Sequence, residues 1–445
     1  MLSPSILWFR QDLRLFDNRS LIAAADNGPL VATYILDDHI GGAQRWWLHH
    51  SLRALAADLA KHGVPLILRR GDAVTELKSL MKETGAAHIH ATRAYEPWWK
   101  ATDARLGTSL TLHDGNYLVH PPTVLTGGGG RYKIFTPYWK ALLQRMPPAL
   151  PLVVPETIKG VEAASERLDD WNLLPIKPDW SNGFDVWRPG ERGAKEALKQ
   201  WLDHVDDYDR SRNMPSEAGT SRLSPHLHFG EISPATVWHH VSKHAGARGE
   251  PYLREIGWRD YAANTIDQFA DYAEANARKD YDRLRWREAD SDFTAWTKGQ
   301  TGYPIVDAGM RQLWATGWMH NRLRMITASF LVKHLLIDWR RGERWFWDTL
   351  VDADYGSNAV NWQWVAGTGV DSNMFVRIMA PLSQSEKFEA ADYIRQWVPE
   401  LATIPEPWIH DPHGAGQAPE DYAKPLVGHR EGRERALAAY SAMKS

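Results

Sequence analysis

The sequence predicts two folding units in one chain: an α/β domain with a doubly wound parallel sheet, followed by a larger all-α domain. Through about residue 120, short apolar runs alternate with amphipathic segments, which is the pattern of a buried parallel sheet covered by helices. From about residue 192 the apolar residues recur with a helical period instead. Between them, 147–190 is rich in Pro and has little periodicity. We therefore predict an α/β domain at 1–130, a connector at 131–195 and a helical domain at 196–445.

The α/β domain is predicted to hold a set of about five strands, with helices at Ala43–His62 and Ala73–Thr84. The predicted strands are Ser5–Phe9, Leu30–Leu36, Val64–Arg69, Ala87–Ala91 and Ser109–His113. Gly127–Gly130 is expected to act as a hinge. The sequence has no G-x-G-x-x-G and no G-x-x-x-x-G-K-[ST], so neither common phosphate-binding loop is predicted.

Two helices of the second half have clear signals in the sequence. Ser233-Pro234 is typical of an N-cap followed by Pro at the first helical position. The residues from Asn321 to Trp339 are predicted to form one helix.

Composition narrows the class of protein. The 445 residues are 43% hydrophobic and 24% charged, as in globular proteins, and long enough for two or more domains. No apolar run approaches the ~18 residues of a membrane span, and the first residues lead directly into a strand-like run without a signal peptide. We therefore expect a cytoplasmic protein with no membrane partner.

The chain contains no cysteine, which excludes disulfides, thiolate zinc sites, cysteine nucleophiles and cysteine-ligated iron–sulfur clusters. No metal site is predicted. The net charge of -3 argues against wholesale electrostatic binding of nucleic acid, but a local patch stays possible. The stretch from Arg311 to Arg344 contains seven Lys or Arg residues and only two acidic residues.

The segment Asp352–Asp371 has no helical stripe and no sustained alternation. It holds acids, an amide at Asn358, and Trp362 and Trp364 one residue apart. Asp, Asn and Gly in this arrangement are typical of turns and caps around short helical pieces. The segment is therefore predicted to present side chains to a ligand.

Three further groups of residues are candidates for a binding or catalytic site. Hydroxyls and an Arg in Gly219–Gly230 are typical of an anion site, although an ordinary N-cap with a surface Arg explains them about as well. Glu255, Trp258 and Arg259 share one helical face, which a surface ion pair beside a buried Trp would also explain. Gly317–Met325 is either a basic amphipathic helix or a binding surface.

Taken together, these motifs resemble the photolyase/cryptochrome family over nearly the whole chain, from Trp8-Phe-Arg-Gln-Asp-Leu-Arg14 to Pro405. The resemblance implies an N-terminal antenna domain and a helical, FAD-binding catalytic domain. It assigns to FAD binding the residues Tyr208, Thr220, Ser221, Arg222, Leu223, Ser224, Arg324, Asp352, Asp354 and Asn358. The resemblance also implies that Arg324 pairs with Asp352, and such a pair avoids the cost of an unpaired buried charge.

The resemblance also implies a substrate, DNA damaged by ultraviolet light and containing pyrimidine dimers. It assigns to lesion or DNA binding the residues Arg212, Glu255, Trp258, Arg259, Asn321, Arg322, Met325, Trp364, Arg377, Gln384 and Lys387. Glu255 would hydrogen-bond the dimer and Asn358 would face flavin N5. Trp286, Trp339 and Trp362 match the family's electron-transfer chain, an assignment that rests on alignment to flanking motifs alone.

Two branches of the family compete. Glu255, Trp258, Met325 and Trp364 resemble the dimer-binding set of cyclobutane pyrimidine dimer photolyases, and Asn358 stands where plant cryptochromes tend to carry Asp. The chain also ends about forty residues after Pro405, which is expected to leave no room for a signalling tail. Plant-like segments such as Arg344-Trp-Phe-Trp-Asp348 favour class III photolyases, the sister group of plant cryptochromes, with class I photolyases as the alternative. The rival reading is a blue-light receptor.

The resemblance also implies the redox state of FAD, the oligomeric state and location of the protein, and a second chromophore. Reduced anionic FAD would be the active form, in a monomeric, bacterial, cytoplasmic protein that joins the nucleoid when bound to DNA. The antenna chromophore is expected to be 5,10-methenyltetrahydrofolate, with a deazaflavin as the alternative. Tyr95–Trp99 and Arg45-Trp46 would line its pocket.

Overall fold

The computed structural model describes residues 2–445 and divides into two compact units. The N-terminal unit comprises the described part of Met1–Ser181, Asp185–Asp206 and Ser221–Ala270. The C-terminal unit comprises Asn182–Phe184, Asp207–Thr220 and Asp271–Ser445. No helix among the described residues has the length and apolar character that crossing a bilayer requires.

The N-terminal unit is built on one five-stranded parallel sheet, which confirms the predicted fold class. Its strands are β1 Ser5–Phe9, β2 Leu30–Leu36, β3 Leu66–Arg70, β4 His88–Thr92 and β5 Leu110–His113, in the order β3-β2-β1-β4-β5. Ser5 of β1 lies opposite Leu30 on one side and His88 on the other. Every residue of β1 and β2 is buried, as expected for central strands covered on both faces.

The α-helices of the described chain follow in sequence order. They are α1 Arg19–Asn27, α2 Gly42–Ala60, α3 Ala73–Thr84, α4 Pro97–Leu106, α5 Phe135–Leu143, α6 Glu191–Leu202, α7 Tyr208–Ser211, α8 Ser224–His228, α9 Pro234–Ala245, α10 Glu250–Gln268, α11 Asp290–Thr297, α12 Pro304–Thr316, α13 Asn321–Ser329, α14 Trp339–Thr349, α15 Tyr355–Ala366, α16 Pro381–Lys387, α17 Ala391–Trp397 and α18 His429–Lys444.

Local sequence explains where two important helices begin. The Ser233 hydroxyl accepts a hydrogen bond from the Thr236 N–H, and α9 starts at Pro234 as predicted. In the C-terminal unit, the Asp354 side chain accepts from the Ser357 N–H at 2.7 Å and so caps α15. The helix ends at Gly367, whose left-handed φ of 87° is available to glycine without steric cost.

The single helix predicted from Asn321 to Trp339 is wrong. The α-helix α13 ends at Ser329, a π-helical turn follows at Phe330–His334, and Leu336 then takes a positive φ of 52°. A new helix starts at Trp339, where Asp338 accepts a hydrogen bond from the Arg340 N–H. The apolar period continues through the break because both pieces pack into the same core, so periodicity alone did not reveal it.

The Gly-rich segment and the connector are both ordered within the structure. Residues 127–130 form a tight turn between Leu125 and Arg131, which pair as an isolated antiparallel bridge. The predicted connector contains α5 and the start of α6, and its Gly160 pairs in parallel with Leu30 of β2. The predicted domain boundaries at 130 and 195 stay a prediction.

Candidate active site and cofactor residues

In the N-terminal unit, α10 presents the predicted lesion-binding face. Glu255 and Trp258 are both half-buried on this helix. The indole of Trp258 stacks on the ring of Phe135, with centroids 3.6 Å apart and planes 11° from parallel. The neighbouring Gly257 lets α10 approach α5, because a Cβ there would lie 2.5 Å from the Trp139 ring. One face of Trp258 is thus braced by Phe135.

The guanidinium of Arg259 hydrogen-bonds two main-chain carbonyls of the N-terminal unit. Nη1 donates to the carbonyl of Asn116 at 3.2 Å, and Nη2 donates to the carbonyl of Leu227 at 2.9 Å. Its guanidinium also lies 5.5 Å from the centre of the Tyr117 ring. This geometry ties the loop after β5 to α10 and α8, and the predicted DNA contact of Arg259 stays a prediction.

The predicted phosphate-binding run has an unusual backbone. Arg222 adopts a left-handed φ of 51°, which is uncommon for a residue with a Cβ. The Ser221 hydroxyl accepts a hydrogen bond from the Tyr252 hydroxyl at 3.0 Å and from the Leu223 N–H at 3.2 Å. Leu223 is fully buried, whereas Arg222 and Ser224 are exposed. The turn therefore anchors one apolar side chain and directs polar ones outward.

In the C-terminal unit, the predicted pair of Arg324 and Asp352 is present. Arg324 Nη2 donates to Asp352 Oδ2 at 2.8 Å, and Nε donates to the Met319 carbonyl at 2.8 Å. The Asp352 side chain is 3% exposed, and its second oxygen, Oδ1, has no hydrogen-bond partner among the described residues. A buried carboxylate oxygen without a donor is costly, which points to a ligand that supplies one.

Asn358 lies buried on α15, beside a carboxyl that the sequence reasoning had not singled out. Its Nδ2 donates to the Glu343 side-chain oxygen Oε1 at 2.8 Å and to the Glu343 main-chain carbonyl at 3.1 Å. Glu343 belongs to α14 and is 5% exposed. Burial raises the pKa of this carboxyl to about 7, against the opposing effect of the hydrogen bond from Asn358.

Along α13, the predicted residues take different positions. Asn321 is exposed, and Arg322 and Met325 are half-buried. Arg322 Nε donates to the Asn213 amide oxygen at 2.8 Å, and Arg322 Nη1 lies 3.7 Å from the Met325 sulfur. A neutral amide thus orients this guanidinium.

The three predicted electron-transfer tryptophans all belong to one packed cluster of the C-terminal unit. Trp339 and Trp362 are buried in it, and Trp286 is partly buried against it. The Trp339 indole N–H donates to the Asn276 side-chain oxygen at 2.9 Å. Gly342 lies directly against Trp362, because a Cβ at this position would be 2.2 Å from the indole Cη2. This contact fixes α14, and hence Trp339, relative to α15.

The excess of basic residues between Arg311 and Arg344 is not a free cationic surface. Several of these cations pair with carboxylates, of which Asp338 lies inside this segment and the others lie outside it. The pairs are Arg311 with Glu400 at 2.7 Å, Arg324 with Asp352 at 2.8 Å, Arg340 with Asp338 at 3.0 Å and Arg341 with Asp290 at 2.8 Å. Lys333 is fully buried and donates to the Ala366 carbonyl at 2.9 Å. Counting charges along the sequence therefore overstated the local basic character.

The remaining predicted cofactor and DNA residues also lie in the C-terminal unit. Tyr208 is buried and Thr220 half-buried, while the Arg212 guanidinium lies 5.1 Å from the centre of the Tyr208 ring. Trp364 and Gln384 are half-buried, and Arg377 and Lys387 are exposed. The exposed cations are thus accessible to an anionic partner.

The predicted antenna residues are largely packed within the N-terminal unit. Trp46 and Trp99 are both buried, and Trp99 meets Trp8 edge to face at 5.5 Å. Trp98 is half-buried and stacks on His39 at 4.5 Å. A separate cavity of about 300 Å³ lies beyond β5, lined in part by Arg19, and includes none of these tryptophans.

Sequence reasoning missed two residues that shape the site, Phe135 under Trp258 and Glu343 under Asn358. Neither has a local signal, because each is more than ten residues from its partner along the chain. Among the described residues there is no group of three His, Asp or Glu able to hold a metal ion.

Comparison with known proteins identifies the family. Residues 5–156 match the DNA photolyase family, and residues 252–442 match the FAD binding domain of DNA photolyase. The deoxyribodipyrimidine photo-lyase of Agrobacterium fabrum is 46% identical over 99% of this chain and 98% of its own length. A crystal structure of a class III photolyase from Agrobacterium tumefaciens superposes with a TM-score of 0.95 at 46% identity, covering 100% of this chain and 98% of that one.

The similarity extends to the receptor branch at lower identity. Cryptochrome-1 of Arabidopsis thaliana is 35% identical over 99% of this chain, which spans 70% of that protein. The chain belongs to the photolyase/cryptochrome family and carries the FAD-binding domain of DNA photolyases.

Proposed function

We propose that this protein is a class III photolyase that uses light and reduced FAD to split cyclobutane pyrimidine dimers in DNA damaged by ultraviolet light. The observation that carries the proposal is the face of α10, where Glu255 and the braced indole of Trp258 are together on a half-buried surface. The similarity to photo-lyases over the full chain supports it.

The residues present fit a flavin nucleotide. The buried Oδ1 of Asp352 lacks a donor among the described residues, and a flavin ring or ribose carries N–H and O–H groups that can supply one. The left-handed turn at Arg222 directs polar groups outward, as phosphate binding requires. When bound, FAD supplies the electron that splits the dimer after excitation by blue light. The proposed FAD contacts are Tyr208, Thr220, Ser221, Arg222, Leu223, Ser224, Arg324, Asp352, Asp354 and Asn358.

The lesion is expected to leave the duplex before repair, and photolyases are themselves a standard example of base flipping. Glu255 would then hydrogen-bond a thymine base. Trp258 would pack against the base with the ring face that Phe135 leaves open. Met325 and Trp364 are further residues proposed to contact the lesion.

Cations of the protein would hold the DNA backbone on either side of the lesion. The exposed side chains of Arg377 and Lys387 and the oriented guanidinium of Arg322 are suited to phosphate. Arg212 would add a fourth contact. Each phosphate neutralised contributes about -0.9 to the slope of log affinity against log salt, so binding should weaken steeply with salt.

Trp286, Trp339 and Trp362 would return electrons to oxidised cofactor under light. Trp286 is partly exposed, whereas Trp339 and Trp362 are buried in the same cluster, which suits a chain that begins at the surface. The Asn276 oxygen at Trp339 Nε1 would stabilise positive charge on that indole. The path would serve to activate the enzyme and would not contact the lesion.

The antenna chromophore is proposed to be 5,10-methenyltetrahydrofolate, on the resemblance to class III photolyases. A deazaflavin is the alternative. The absorption spectrum of the purified protein tests this choice, because the flavin and the two antenna types absorb differently. A protein with flavin absorption alone would remove the antenna from the proposal.

The rival function, a blue-light receptor with the same FAD, is favoured by the 35% identity to cryptochrome-1. Repair of thymine-dimer DNA by the purified protein under light and reductant discriminates the two. We expect Glu255→Ala to lower turnover much more than DNA binding. A hydrogen bond to a charged group, or to a group on which charge develops, contributes about 1.5–3 kcal/mol of stabilisation. Glu250→Ala, in the first turn of the same helix, is the matched control. A protein that binds FAD and leaves dimers intact under blue light would support the receptor.

A further inference from the structure

The hydrogen bonds between α14 and α15 use both amide hydrogens of Asn358. One goes to Glu343 Oε1 at 2.8 Å and the other to the Glu343 carbonyl at 3.1 Å. An Asn side chain has two donors on nitrogen and one acceptor oxygen. The oxygen, Oδ1, is therefore the atom left for a ligand, and no described residue donates to it.

A half-turn of the amide would be unfavourable while Glu343 is ionised. It would place Oδ1 against a carboxylate and a carbonyl, both of which are acceptors only. Protonation of the carboxyl removes one of these two repulsions, because its O–H can donate to Oδ1. The charge on Glu343 thus decides how firmly Asn358 is held in one orientation.

We propose that Glu343 is a positioning residue: its ionised carboxylate locks Asn358 with the amide oxygen toward the cofactor, and its protonated form releases that lock. The inference rests on the proposed function, in which Asn358 faces flavin N5. An acceptor oxygen at this atom favours the reduced cofactor, which has a proton there, over the oxidised one, which has a lone pair.

The surroundings of Glu343 place this change near neutral pH. Burial raises its pKa to about 7. Among the charged groups, Arg344 on α14 opposes the rise and Glu274 adds to it, while the hydroxyl of Tyr355 on α15 also interacts with the carboxyl. Because the folded pKa lies above the ordinary value of 4.5, the carboxyl is neutral below about pH 7 and ionised above it.

The test follows the carboxyl and the cofactor separately in the FAD-bound protein. Infrared spectroscopy should show a buried carboxylic C=O band that disappears as pH rises through about 7 and that is absent from Glu343→Gln. The ratio of oxidised to fully reduced FAD is measured against pH at fixed reductant. Across the same range it should deviate by about fivefold from the smooth pH dependence of a cofactor beside a group that does not titrate, as a charge-assisted hydrogen bond replaces a neutral one. Glu343→Gln should abolish that deviation.

Two further variants show whether the amide transmits the effect. Asn358→Ala should also abolish the deviation although Glu343 still titrates, whereas a direct action of the Glu343 charge on the cofactor would survive it. Glu274→Gln, the matched control on an exposed acid, should keep the deviation and move it to slightly lower pH.

The outcomes separate this inference from the proposed function. If the protein binds FAD and repairs dimers but wild type shows no titrating C=O band, the role of Glu343 is wrong and the photolyase stands. The same holds if Glu343→Gln or Asn358→Ala keeps the deviation. If wild-type protein neither holds FAD nor repairs dimers, the proposed function fails first.

Discussion

Gly342 is the position at which a single methyl group should disturb both stability and electron transfer. A Cβ built there lies 2.2 Å from Trp362 Cη2 and 2.6 Å from Leu331 Cδ2, where ordinary contacts are 3.4–4 Å. In Gly342→Ala, therefore, Trp362 or the helix α14 must move by roughly 1 Å to restore an ordinary contact.

The magnitude follows from two opposing effects. Ala is favoured over Gly inside a helix by about 1 kcal/mol. Overpacking a core costs about 1–3 kcal/mol and occasionally more, and a 2.2 Å contact belongs at the upper end. We expect Gly342→Ala to lower the free energy of unfolding by roughly 1–2 kcal/mol.

Urea unfolding followed by far-ultraviolet circular dichroism measures this change, in wild type and in a Trp362→Phe background. Phe lacks the outer ring atoms that meet the new methyl group, so the cost of Gly342→Ala should shrink in that background. An equal cost in both backgrounds would refute the reasoning. Light-driven reduction of FAD should also slow in Gly342→Ala, while repair by chemically reduced enzyme persists.

The remaining predictions concern the cofactor, the electron path and pH. Trp362→Phe should block light-driven reduction of FAD and leave repair intact once the flavin is chemically reduced; equal loss of both would make the residue structural. Asn358→Asp sets a second carboxyl against Glu343, so under light less flavin should become fully reduced while FAD content stays near normal, and a visible spectrum like that of wild type would contradict this account. Asp352→Asn should lower FAD content, measured by absorbance, because the Arg324 cation loses its counter-charge; unchanged FAD content would remove Asp352 from the site. Burial raises the pKa of Asp260 to about 7, so its contribution to stability is full below about pH 4 and is lost as pH rises to about 7. In Asp260→Asn, the urea midpoint of unfolding should therefore depend less on pH over that range. The same dependence in the variant as in wild type would disprove this prediction.

Much of the fold was predictable because its causes are local. The buried runs of β1 and β2, the N-cap at Ser233 and the alternation of strands with helices each depend on residues close in sequence. The predicted start of an outer strand was less accurate: β3 was predicted to begin at Val64 and begins at Leu66. Edge strands carry weaker apolar signals, since β3 buries only two of its five residues and no residue of β5 is fully buried.

The candidate site was predictable only as a set of motifs. Arg324 and Asp352 were correctly expected to pair from the family resemblance, and the carboxylate compensates the charge of the half-buried guanidinium. The break between α13 and α14, formed by a π-helical turn and a positive φ at Leu336, was not expected, because the residues on both sides pack into the same core and keep the apolar period. Arg311 contributes to the excess of basic residues in its stretch of sequence, but its partner Glu400 is distant in sequence and close only in the fold.

By itself the sequence determined the two kinds of folding unit, the family and the residue types available for FAD and DNA. It did so because periodicity, caps and signature motifs are all written within short stretches of chain. The tertiary structure alone decided that Phe135 braces Trp258 and that Glu343 holds both hydrogens of Asn358. These contacts join residues distant in sequence, and their energies depend on burial and on distances of a few ångströms, which only packing of the folded chain sets.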